Sequence, residues 1–203
     1  MGIRSLKSAS VSTGTKRSKF WDQSAVILNP AFESIATTTV GSTSVASVTF
    51  TESGSAWQNY THLQLRYIMR DAGGSGVNTG SIAVSSSTGS NMAYHRIYGN
   101  GSGISAYGYS SYGYWSDLMS GAMNSTTSGT FGAGIIDILD FKNTNKNKTM
   151  KILAGTDANG TGAIIFGSGF VNSTSAITSI TLYAPSNGFV QYSQFALYGI
   201  KGS

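Results

Sequence analysis

From residue 32 onward, apolar and polar residues alternate in short runs that Gly, Asn and Ser punctuate. Period two is the signature of half-buried strands, so the pattern predicts an all-β chain. Thr61 to Arg70 is the clearest run, with Leu63, Leu65, Tyr67 and Met69 on one face and His62, Gln64, Arg66 and Arg70 mostly on the other. Ser34 to Val40 and Val45 to Phe50 read as a first pair of strands around Gly41-Ser42-Thr43. Ser81 to Ser85 and Asn91 to Tyr98 read as half-buried strands, and Thr130 to Phe141 is apolar enough for a central one. Lys148 to Gly155, Ala163 to Gly167, Ala176 to Tyr183 and Gln194 to Ile200 complete about ten strands, the spacing of a sandwich or barrel. Trp115 to Met123 is the one stretch that suits a short helix.

Neither proline interrupts a strong strand. Pro30 marks a hinge and Pro185 opens the turn Pro185-Ser186-Asn187-Gly188, which divides the chain into an arm, 1–30, and one domain, 31–203. Charge follows the same division. Arg4, Lys7, Lys16, Arg17 and Lys19 precede the first acid, Asp22, whereas residues 20–203 carry eight bases and eight acids. The net charge of +5 is thus the charge of the first nineteen residues, and the arm 1–30, which includes Asp22, carries +4 of it. A basic, Ser/Thr/Gly-rich arm reads as a tether ordered by contact with a partner, its cations steering and Phe20 and Trp21 anchoring.

Charged residues make up only 10% of the chain, so the body's surface binds by hydrogen bonding and packing rather than by strong fields. There is no cysteine, which excludes disulfides and thiolate metal sites. No apolar run is long enough to cross a bilayer or to serve as a secretory signal, so neither membrane insertion nor export is expected. The basic start has the composition of an organellar transit peptide, but Gly2, Gly14 and Ser10 to Thr13 would break the amphipathic helix such a peptide needs. Without export, Asn-x-Ser/Thr matches such as those at Asn59, Asn124, Asn147, Asn159 and Asn172 carry no glycan meaning.

Catalytic chemistry finds little footing. His62 and His95 are the only histidine bases, each within an alternating strand, and no Gly-x-Ser-x-Gly elbow accompanies them. Asp137 and Asp140 are three apart, which in a strand sends them to opposite faces, and a remote pair such as Asp117 with Asp157 has no motif behind it. These acids read as turn caps or as partners of Lys142 to Lys151. Asp157-Ala158-Asn159-Gly160 begins like a calcium loop but lacks the closing ligands, and Gly99 to Gly103 lacks the helix that phosphate binding needs; both read as turns. No enzyme activity, cofactor or metal is expected. Nucleic-acid binding is not expected either, because the body offers no basic stripe to continue the arm.

The most distinctive local sequence runs from Tyr107 to Trp115, where Tyr107, Tyr109, Tyr112, Tyr114 and Trp115 interleave with Gly and Ser. Such rings suit stacking on a glycan or packing on a neighbouring subunit, and equally suit a sandwich core. Several strands have the look of a known group. Phe32 to Val40, Thr61 to Ile68, Tyr94 to Gly101, Ile136 to Phe141, Thr174 to Thr181 and Phe195 to Gly202 resemble β-sandwich structural proteins of tailed bacteriophages. The resemblance implies a single antiparallel sandwich of jelly-roll type and a virion location, as tail fibre, spike or capsid decoration. It also implies other virion proteins as partners and no catalytic residues, while the rings of Tyr107 to Trp115 add a host surface glycan as the alternative partner. Unpaired sheet edges add an expectation of homo-oligomers.

Overall fold

A computed structural model describes residues 31–74 and 76–202. Every helix or strand among the described residues is a strand: β1 (Phe32–Thr39), β2 (Ser47–Thr51), β3 (His62–Asp71), β4 (Val77–Val84), β5 (Met92–Gly99), β6 (Ile104–Tyr112), β7 (Trp115–Met123), β8 (Gly132–Leu139), β9 (Lys148–Asp157), β10 (Gly162–Val171), β11 (Ser179–Tyr183) and β12 (Gln194–Ile200). The described residues are therefore all-β, with twelve strands where the alternation predicts about ten.

The two extra strands have physical explanations. β6 is exposed along nearly its whole length, so it has no apolar face to alternate with a polar one. β7 is the opposite case. Leu118 to Met123 are all buried, and apolar residues at 115, 118, 119, 122 and 123 imitate helical spacing. The segment expected as a helix is a strand buried on both sides.

Eight strands pair in the order β1-β12-β3-β8-β9-β10-β5-β6, each antiparallel to its neighbour. Four more pair antiparallel as β2-β11-β4-β7. The two groups join where the end of β3 runs parallel to the end of β7, Arg70 beside Ala122 and Asp71 beside Met123, giving one mixed, open sheet. β1 and β2 do not pair with each other: β1 lies on β12 and β2 on β11. Alternation specifies which residues form strands, whereas partners are chosen by burial across the whole chain.

The inward residues form one core. Leu63, Leu65, Ile152 and Leu197 come from the eight-strand group, and Phe50, Ile82, Leu118 and Leu182 from the four-strand group. Two buried cations sit at its margins, both satisfied by backbone oxygen. The Arg70 guanidinium donates to the carbonyls of Asn124, Thr126, Thr127 and Thr130 at 2.9–3.0 Å, closing the loop between β7 and β8. The Lys148 ammonium donates to the carbonyls of Asn143, Lys146 and Thr174. Burial pushes the Lys148 pKa down, and the carbonyl cradle offsets part of the cost of burying its charge.

β1 is fastened at its first turn of chain. Glu33 accepts a hydrogen bond from the Tyr60 hydroxyl and another from Lys201 Nζ at 3.2 Å, while Phe32 stacks on Tyr198 with centroids 4.7 Å apart. The Tyr60 bond, and then Lys201, hold the Glu33 pKa below its ordinary value of 4.5. A carboxylate with a depressed folded-state pKa contributes stability above its unfolded value and loses it as pH falls through the folded one. Acidification below 4.5 should therefore lower the hydrogen-exchange protection of β1 before that of β8. Glu33→Gln should remove this difference between the two strands.

Candidate functional site

The polar candidates are dispersed. His62 and His95 both lie on the outward face of the eight-strand group, but β8, β9 and β10 separate their strands. His62 Nδ1 accepts the Asp140 N–H at 2.9 Å and lies 3.6 Å from its carboxylate, which also takes Lys146. Lys146 is the first cause of a lowered Asp140 pKa. Asp137 accepts from Gln64 Nε2 at 2.8 Å, so the 137/140 pair serves two different contacts. Asp117 accepts from Thr79 Oγ1 at 2.8 Å and faces Arg96 at 3.6 Å, whereas Asp157 accepts the Asn159 N–H at 2.9 Å in the β9–β10 turn. The loop 99–103 is likewise a turn, closed by Asn100 Oδ1 on the N–H groups of Ser102 and Gly103. Among the described residues no three His, Cys, Asp or Glu side chains gather as metal ligands.

The arm candidates Arg4, Lys7, Lys16, Arg17, Lys19, Phe20 and Trp21 lie outside the described residues. The tyrosine segment lies within them, and it divides. Tyr107 pairs across the ladder with Arg96, and Tyr109 with Tyr94, on the inward side of edge strand β6. Tyr109 stacks on Tyr94 at 4.9 Å, Tyr112 meets Tyr109 edge-on at 5.7 Å, and Tyr114 meets Tyr112 at 6.4 Å. The Arg96 guanidinium lies 4.9 Å from the Tyr107 ring. Tyr107, Tyr112 and Tyr114 remain exposed, while burial pushes the Tyr94 pKa up to about 12. Trp115 is fully buried, its indole N–H donating to the Ala93 carbonyl at 3.2 Å. Opposite it, a Cβ on Gly169 would lie 2.5 Å from the Trp115 indole nitrogen, so that position is kept small. Trp115 is thus a core residue and offers no contact surface.

The other face of the eight-strand group carries a feature that alternation alone conceals. Arg66, Ile135, Leu153, Phe166, Ile97 and Ala106 are consecutive ladder partners from β3 to β6, all pointing outward. A parallel row carries Ile68, Ala133, Gly155, Ile164, Gly99 and Ile104. The large apolar members are exposed by between 39% at Ile135 and 81% at Ile104. Two depressions border Ile164: one of about 600 Å³ over Ala133 and Gly155, the other of about 820 Å³ over Gly99 and Gly162.

Polar residues bound this stripe. The next row holds Gln64, Asp137, Lys151 and Ser168, and the Arg66 guanidinium is turned aside onto the stacked Phe32 and Tyr198 rings at 5.2 and 5.4 Å. An apolar centre with a polar margin is the anatomy of a protein interface. A signal for it exists in the sequence: Tyr67-Ile68-Met69, Ile135-Ile136, Ile152-Leu153 and Ile164-Ile165-Phe166 put apolar residues on both faces of their strands. Comparison with protein-family models, with curated proteins and with solved structures gives no match for the chain.

Proposed function

We propose that this chain is a non-catalytic structural protein of a bacteriophage virion, docked through residues 1–30 and presenting its β domain as a fibre, spike or capsid-decoration module. The observation that carries the reading is the exposed apolar stripe with its polar border, a surface that costs a free monomer solubility and serves a protein built into an assembly. The basic arm and the likeness of strands such as Thr61 to Ile68 to phage structural proteins support the virion location. We also read the two strand groups as the layers of a jelly-roll sandwich. In support, β7 packs across the core against β9 and β10. Labelling the C-terminus and imaging purified particles tests the function: label on heads or tails supports it, and protein found only outside particles overturns it.

A second reading, recognition of a host glycan, is favoured by the exposed rings of Tyr107, Tyr112 and Tyr114 beside Arg96. On a glycan array, Tyr107→Ala with Tyr114→Ala should reduce any binding by at least about tenfold, as expected when stacking rings are lost. An unchanged array profile removes the tyrosines from recognition. Many copies on one particle would turn weak single contacts into firm attachment.

A further inference from the structure

We infer that the apolar stripe of the eight-strand group is covered by the same stripe of a second copy of this chain, in a two-fold dimer with its axis near Leu153 and Ile164. The inference rests on reading that face as an assembly surface, and adds its occupant. Area is the first argument. At about 200 Å² for a fully exposed large apolar residue, Ile68, Ile97, Ile135, Leu153, Ile164, Phe166 and Ile104 together expose on the order of 800 Å². That exceeds the roughly 300–600 Å² of the largest patch on a typical monomer, and it equals the roughly 800 Å² that each partner contributes to a standard stable interface.

Shape is the second argument. A two-fold contact needs a patch that carries both a projection and its recess, since each copy must offer what the other fills. Ile164 projects between the two depressions, and their floors are made of Ala133, Gly155, Gly99 and Gly162, small enough to receive it. Charge is the third. The stripe's centre has no ionisable side chain, and residues 32–202 carry eight bases and seven acids, so two copies meet without appreciable net repulsion. Stacked at the ordinary spacing of about 10 Å, the two sheets would bury both stripes while their polar rows stayed at the rim.

The test is the mass of the full-length chain in solution, by sedimentation or light scattering at micromolar concentration. The wild type should be a dimer. Leu153→Glu with Ile164→Glu should weaken dimerisation by on the order of 100-fold or more, because symmetry places each buried charge twice. Its circular dichroism should be unchanged, because both side chains point away from the core. Chemistry supplies a readout that survives a misfolded double variant. The chain has no cysteine, so Leu153→Cys should give covalent dimers with a short bis-maleimide able to span the roughly 10 Å between sheets, whereas Thr49→Cys, exposed on β2, should not. A monomeric wild type overturns the dimer, whether residues 1–30 or another protein takes the stripe. A dimer indifferent to the double variant, and not captured by Leu153→Cys, overturns it as well. A monomer that still joins particles removes the dimer and leaves the structural role standing.

Discussion

Replacing Arg70 by Ala is expected to destabilise the domain by about 3–5 kcal/mol, since the loss leaves several carbonyls without donors at a buried site. In a domain of this size that lowers the melting temperature by roughly 10 °C. The guanidinium reaches Asn124, Thr126, Thr127 and Thr130 at once, so its removal takes four hydrogen bonds from the β7–β8 loop. Arg70→Lys should recover only part of the loss, because one ammonium cannot reproduce the planar fork. Calorimetry of both variants is the measurement, and a change under about 1 kcal/mol for the alanine variant would sink the account.

Trp115→Ala should cost a similar amount, about 3–5 kcal/mol, by opening a cavity over Gly169. Tyr112→Ala, four-tenths exposed at most and held by neighbouring rings, should cost about 1 kcal/mol. Denaturant unfolding of the two variants separates residues that lie three apart in one aromatic run. If the two costs were equal, the division of that run into core and surface would be wrong. The contrast also decides how recognition is tested: a Trp115 variant reports on folding, whereas Tyr107 and Tyr114 variants report on the surface.

Much of the architecture is legible in the chain because burial on one face writes itself as alternation. The run from His62 to Met69 alternates and folds as β3, and Gln194 to Ile200 coincides with β12 from end to end. The signal fails at both extremes of burial. β6 has almost nothing buried and β7 almost nothing exposed, so neither alternates. Partnering is less legible still: the pairings of β1 with β12 and of β2 with β11 join segments more than a hundred residues apart, beyond any local rule. Of the candidate surface, the tyrosines announce themselves by composition. The apolar stripe is written only as doubled apolar pairs such as Ile164-Ile165, and its existence depends on the registers that align five neighbouring ladders.

The pairing of β1 with β12 sets Phe32 beside Ile200 at one margin of the eight-strand group, and β6 forms the other margin. The domain's entry and exit thus share one edge. Seven strand spacings of about 4.8 Å carry the tyrosine margin roughly 34 Å away from them along the sheet. Since Phe32 and Ile200 are ladder partners, a short linker could join the two ends of the domain and the chain could be reopened at the exposed 100–103 turn, a circular permutation that keeps every ladder. It would also move the point of attachment to another part of the molecule while leaving both faces of the sheet as they are.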